Sequence, residues 1–206
     1  MQESEQSAGK EFRKLMINNN ELDTRNLPES YRLLLERRSV RAYEKTPLTS
    51  EQIDLILLAA SYAPSGHGRQ PFAFLAVSDP QVIAKLSKLN ADVMRQTAPD
   101  YEGDPFYGAP CVFAVLVKKD VPTGKLDGAA AMENMLLAAA SLHLGSCWIN
   151  RAKEVFETAA GQEILIRAGF ENSENLEGIG FVIAGTPEDG ALRNAAPRKV
   201  QIGKLL

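Results

Sequence analysis

From about residue 28 onward, apolar residues fall into alternating helical and extended rhythms. Tyr31, Leu34 and Leu35 recur at helical spacing and predict a helix that opens near Pro28 and closes on Arg37-Arg38-Ser39-Val40-Arg41. Thr49-Ser50-Glu51-Gln52 has the form of a capping box, a hydroxyl residue with Gln three positions later. It opens a helix through Ile53, Ile56, Leu57 and Ala60 that must stop before Pro64. The apolar, β-prone run Phe72–Val77 predicts a strand, and Ser78-Asp79-Pro80 closes it, with Asp as cap and Pro in the first turn of a helix over 80–95. Pro99, Gly103, Pro105, Gly108 and Pro110 punctuate an irregular stretch, 97–110, of the length that marks a lid or a mobile segment in compact domains.

A strand over Cys111–Lys118 follows, and then Leu126–Leu144, which is apolar on nearly every face. That pattern predicts a central buried helix or an interface helix, stopped by Gly145. Cys147-Trp148-Ile149 reads as a short strand, 153–169 as two short helices divided near Gly161, and Ile179–Ala184 as the last strand. Residues 1–26 are a polar arm in which Phe12, Leu15 and Met16 could line one side of a short helix, and 27–206 read as a single domain. Strands alternating with helices imply an α/β (α+β) architecture, with helices packed around one sheet.

At 206 residues, with 45% hydrophobic and 24% charged residues, the chain can bury a substantial core. A net charge of −3 provides no broad positive field for nucleic acid or an anionic membrane, and no apolar run is long enough to span a bilayer. Cys111 and Cys147 lie in apolar strand-like contexts without metal spacing and read as core residues, so a cytoplasmic location is expected. Against that background the arginine cluster is a local exception. Its planar forks, charged at every physiological pH, suit a small phosphorylated ligand. Asp100, Glu102 and Asp104 alternate as in a calcium loop but lack its glycine and closing glutamate, so no metal is expected. No Ser-His-Asp or Cys-His arrangement has supporting context, and no Gly-x-Gly-x-x-Gly follows a strand, so no side chain is expected to be a catalyst in its own right.

The second segment with binding character is Ala63-Pro64-Ser65-Gly66-His67-Gly68-Arg69-Gln70-Pro71-Phe72. Gly66 and Gly68 let backbone approach a flat ligand, while Ser65, Arg69 and Gln70 bring donors; His67 reads as a plain loop residue or as one facing substrate. Taken with Arg37–Arg41, it resembles the FMN-dependent nitroreductase family, in which Arg-Arg-Ser-x-Arg is followed by Ala-Pro-Ser-x-x-Asn-x-Gln-Pro-Trp. Tyr107-Gly108-Ala109-Pro110, Glu133–Ala139 and Leu144–Ile149 are similar to later segments of the same family in the same order, so the resemblance spans about 30–200.

The resemblance implies a nitroreductase-like fold: a central mixed, mostly antiparallel sheet flanked by helices, with a long central interface helix. It implies a homodimer with FMN at the subunit interface, fed by transient NADH or NADPH and emptied by a small flat acceptor such as a quinone or nitroaromatic, by alternating binding. Arg37 and Ser39 would hold the FMN phosphate, with Arg38 on the phosphate and ribityl side. Arg41 would reach the pyrimidine edge and stabilise the charge of the reduced ring, and the flavin would carry the chemistry. Pro64, Ser65, Gly66, Gly68 and Gln70 would form the flavin-facing loop, the backbone at Asn150 and Arg151 would meet flavin N5 and O4, and Arg198 and Lys199 would add a second phosphate contact. Asn134, Trp148 and Ile149 stand in the matching helix and strand; a backbone-satisfied amide and a core indole are alternative readings of the first two. Gly68 stands where the family has Asn and Phe72 where it usually has Trp, which leaves open a flavin carrier or redox sensor without turnover, or a specialised dehalogenase or flavin-fragmenting enzyme.

Overall fold

The structure, a computed structural model, describes residues 27–197 and 199. The polar arm, the C-terminal end and Arg198 lie outside the described residues. Helix α1 (Glu29–Glu36) is followed by α2 (Ser50–Ser61), whose capping box forms as the sequence predicts: the Thr49 hydroxyl accepts from the Gln52 N–H and the Gln52 side chain accepts from the Thr49 N–H. Strand β1 (Phe72–Val77) leads into α3 (Pro80–Arg95), capped by Asp79, whose carboxylate accepts from the Gln81 N–H at 2.8 Å. Strand β2 (Cys111–Lys118), helix α4 (Gly124–Ser141), strand β3 (Gly145–Ile149), helices α5 (Ala152–Glu157) and α6 (Ala159–Arg167) and strand β4 (Leu176–Gly185) complete the body.

The four strands pair antiparallel in the order β1-β2-β4-β3, and a parallel bridge between Ser39 and Ser146 attaches the arginine segment beside β3. Because side chains alternate across a strand, β2 feeds both faces. Cys111, Phe113 and Val115 join Ile56, Ala60, Met132 and Met135 beneath α2 and α4, while Val112, Ala114 and Leu116 join Leu86, Phe156, Leu165 and Phe181 beneath α3, α5 and α6. Helices cover both faces, which is why β2 reads as an unbroken apolar run rather than an alternation. No helix of the described residues is long and apolar enough to cross a membrane.

Several boundaries differ from the sequence expectation. Helix α4 begins at Gly124 and ends at Ser141, not at Leu144, because His143 takes a left-handed conformation (φ 59) and the Leu144 N–H turns back to the Ala139 carbonyl at 2.9 Å. Gly145 therefore starts β3 rather than stopping the helix. The two later helices divide at Thr158, not near Gly161: the Thr158 hydroxyl accepts the Gly161 N–H and caps α6. β4 starts earlier than expected, at Leu176, through a bulge opposite Val115 and Leu116 that pairs them with Gly180 and Gly178.

Candidate functional site

The arginine segment is seated on β3 at Ser146 and braced by Tyr43. The Val40 N–H donates to the Ser146 carbonyl at 2.9 Å, Ser39 bridges Ser146, and buried Tyr43 donates its hydroxyl to the Val40 carbonyl at 2.7 Å. Burial pushes the Tyr43 phenol well above its ordinary range, so it stays a neutral donor. Beneath the segment lies Cys147. Burial raises its thiol, while the charges of Arg41 and Arg37 and a hydrogen bond with Ser39 oppose the rise. Cys111 is pushed up to about 12 by burial, so both free thiols are protonated core groups.

Arg37 is the C-cap residue of α1, half-buried, with its Nε 3.9 Å from Glu133 Oε1. Its Nη1 is buried with no hydrogen-bond partner, as is Nε of Arg32, and both residues line a cleft of about 650 Å³ with Arg38, Glu29, Glu36 and His143. Orphaned guanidinium donors beside an open cleft fit an anionic ligand, since an unpaired buried donor is costly otherwise. Arg38 instead turns back on its own helix, donating through Nη1 to the carbonyls of Leu35 and Arg37.

Arg41 extends past this cleft and stacks its guanidinium over Tyr107, 5.9 Å from the ring centroid. Tyr107 (φ 53) and Gly108 (φ 69) form the left-handed tip of the 97–110 loop. Asp104 holds that tip, its carboxylate accepting from Ser87 Oγ and from the Phe106 and Gly108 N–H groups at 2.6, 2.9 and 2.7 Å. Asp104 thus caps the loop from within. Burial, Tyr107 and Asp104 raise the Tyr101 phenol, while Arg151 and Arg95 oppose the rise.

The 63–71 loop lies elsewhere. Its Gly66 N–H donates to Asp127 Oδ1 at 3.0 Å, and Thr123 Oγ1 donates to Asp127 Oδ2 at 2.9 Å, which fastens the loop to the first turn of α4. A Cβ on Gly66 would fall 2.5 Å from Thr123 Oγ1, so the close approach requires glycine. His67, Gly68 and Gln70 all have positive φ (54, 66 and 46), and the Gln70 N–H closes the loop on Ser65 Oγ at 3.0 Å. Pro64, His67, Gly68, Arg69 and Gln70 are exposed. Backbone strain of this density is typical of ligand clamps.

Helix α4 separates the two segments. The loop sits at its first turn, whereas Ser39 and Val40 pack on Ser146 and Gly145 past its other end; 18 residues at 1.5 Å each give a helix about 27 Å long. Within one chain, Ser39 and Val40 lie past one end of α4 and the 64–70 loop at the other, while Arg37 reaches Glu133 at mid-helix and the Asn150-Arg151 turn follows the far end of β3. Asn134 faces neither, donating to the Ala59 carbonyl at 2.9 Å and joining α4 to α2. Trp148 is half-buried against the α4 side of the core and donates to Asn150 Oδ1 at 2.9 Å, and Ile149 packs half-buried at the end of β3. Lys199 is exposed. Asp127 and Asn90, which hold these parts in place, carry no local sequence signal, because their partners Gly66 and Asn150 lie some 60 residues away.

At Gly68 an added Cβ would meet nothing within 4 Å, and φ 66 is a conformation Asn tolerates better than other side chains. Gly68→Asn should therefore fold normally and bind FMN about 2- to 10-fold more tightly, the value of one regained hydrogen bond, as read by fluorescence titration. Weaker binding than the parent would show that Gly68 leaves room for something the Asn displaces.

The model of the nitroreductase family matches residues 34–165. A protein of Archaeoglobus fulgidus, provisionally named NADH dehydrogenase/NAD(P)H nitroreductase, is 31% identical over 163 residues, 79% of this chain and 88% of that protein. The crystal structure of a nitroreductase with bound FMN from Bacteroides fragilis superposes with a TM-score of 0.78 at 28% identity, covering 87% of this chain and 99% of that one. Iodotyrosine deiodinase of Haliscomenobacter hydrossis is 38% identical over 80 residues, 39% of this chain and 32% of that protein. On the family match, the archaeal relative and the shared fold together, the chain belongs to the nitroreductase family.

Proposed function

We propose that the protein is an FMN-dependent oxidoreductase, a homodimer that takes electrons from NADH or NADPH and passes them to a small flat acceptor such as a quinone or nitroaromatic. The observation that carries this reading is the split of the two flavin-facing segments to opposite ends of α4. Neither end encloses a flavin. A second copy packed with its α4 antiparallel brings the 64–70 loop of one subunit against Arg37–Arg41 of the other, completing two equivalent sites. The surface suits such a contact: Ala129, Ala130, Leu137, Ala138 and Ala140 of α4 are only half-buried, and Leu55, Leu58 and Leu126 stand exposed beside them.

When bound, FMN supplies the hydride-accepting and hydride-donating centre. The protein supplies charge and position. Arg37 and Ser39 hold the phosphate, with Lys199 and Arg198 as a further basic contribution. Arg41, stacked on Tyr107, would stabilise negative charge at the pyrimidine edge of the ring. Asn150 and Arg151 would offer backbone groups to the ring, and Pro64–Gln70 would help to hold it. Tyr101 and Tyr107 narrow the mouth and exclude water where the acceptor enters. No side-chain acid–base pair is needed, so a cytoplasmic enzyme with two inert, buried thiols fits the reading.

The test is the visible spectrum of the purified protein. It should be yellow, bleach anaerobically with NADH or NADPH, and regain colour on adding a quinone. Colour without bleaching favours a carrier or sensor, and a colourless protein that takes up no added FMN overturns the reading. The deiodinase match favours one second reading, reductive dehalogenation; halide release from a halogenated phenol without quinone turnover would support it.

A further inference from the structure

Asn90, on α3, is fully buried. A primary amide at that depth is costly unless its polar atoms are paired, and this one is half paired. Its Nδ2 donates to the Asn150 carbonyl at 2.8 Å, while its Oδ1 is buried with no hydrogen-bond partner. An apolar side chain of similar volume would leave no orphan oxygen. The amide is therefore poorly explained as packing and better explained by what it holds.

It holds the turn after β3. Arg151 there has φ 76 and ψ 15, a left-handed conformation unusual for a long side chain, immediately before α5. Asn150 is fixed twice, its carbonyl by Asn90 and its side-chain oxygen by Trp148 Nε1 at 2.9 Å. A trans peptide is planar, with its C=O and N–H pointing in opposite directions. Drawing the Asn150 carbonyl toward α3 thus aims the Arg151 N–H away from α3.

We propose that Asn90 is a positioning residue for the flavin, orienting the Asn150–Arg151 peptide so that the Arg151 N–H meets the N5 and O4 edge of the ring. This rests on the FMN reading above. Asn90 touches neither flavin nor substrate; it acts through one peptide plane.

Asn90→Leu, which removes the orphan oxygen together with the donor, tests it, with Asn90→Ala beside it in case leucine does not fit. In the flavin-free protein, amide hydrogen exchange at residues 150–152 should quicken about tenfold, the scale of one lost hydrogen bond, with the sheet unchanged. In the FMN-loaded variant the midpoint potential should move from the parent's, and reduction by NAD(P)H should slow about tenfold at temperatures well below the variant's own melting point. Parent-like exchange at 150–152, or a loaded variant with parent-like potential and rate, overturns the proposal. Failure of the parent to take up FMN overturns the cofactor reading and this role with it, and is recognised because it appears before any substitution is made.

Discussion

Arg37→Ala should strip the protein of FMN. Arg37 lines the cleft at the end of α1 and carries a buried Nη1 with no hydrogen-bond partner, and hydrogen bonds to a charged group contribute about 1.5–3 kcal/mol each. Losing one such contact weakens binding by about 10- to 150-fold, enough to turn a yellow protein colourless on dilution. The fold should barely notice. The ion pair lost with the side chain, Nε to Glu133 Oε1 at 3.9 Å, is long and half exposed on the Glu133 side, and such pairs are worth at most about 1 kcal/mol. Fluorescence titration with FMN measures the first effect and the melting curve of the flavin-free protein the second. A variant that keeps its colour through gel filtration would remove Arg37 from the phosphate site.

Gly145→Ala should damage both stability and cofactor retention. A Cβ at this position would lie 2.9 Å from Cβ, Cγ1 and Cγ2 of Val40, which is fully buried and tied by its N–H to the next residue, Ser146. Val40 is β-branched and stiff, so the backbone must yield, and the part of the backbone that yields is Arg37–Arg41. Overpacking of this kind costs about 1–3 kcal/mol, a fall of roughly 2–12 °C in melting temperature for a chain of this size. Because the displaced segment carries Ser39 and Arg41, FMN retention should fall further than the melting temperature alone would imply. An alanine variant with parent-like melting and parent-like FMN affinity would show that the segment is not seated on β3 as described.

The features legible in the sequence are those whose cause is local. β1, β2 and α3 fall at their expected bounds because an apolar run, the Asp79 cap and Pro80 are adjacent in the chain. The Thr49 box is legible for the same reason. The end of α4 was not, because His143 adopts positive φ without being glycine or asparagine, a choice imposed by the return of Leu144 to Ala139. The start of β4 was hidden by a bulge that leaves Ile179 between its paired neighbours. The arginine cluster and the Pro64–Gln70 loop announce themselves by composition, but linear order says nothing about the length of helix that comes to stand between them. Asp127 and Asn90 were silent because a carboxylate in a helical first turn and an amide in an amphipathic helix are ordinary until their partners, Gly66 and Asn150, are seen across the fold.

The span of α4 has a genetic consequence. On the dimer reading, each cofactor site is assembled from the arginine end of one subunit and the loop end of the other. Two alleles, one broken at Arg37 and one broken in the loop, each make an inactive homodimer. Expressed together they also make a mixed dimer, in which both lesions fall in one site and the other is wholly intact. Two defective copies of the gene would then complement one another within a single protein, whereas two lesions at the same end of α4 could not.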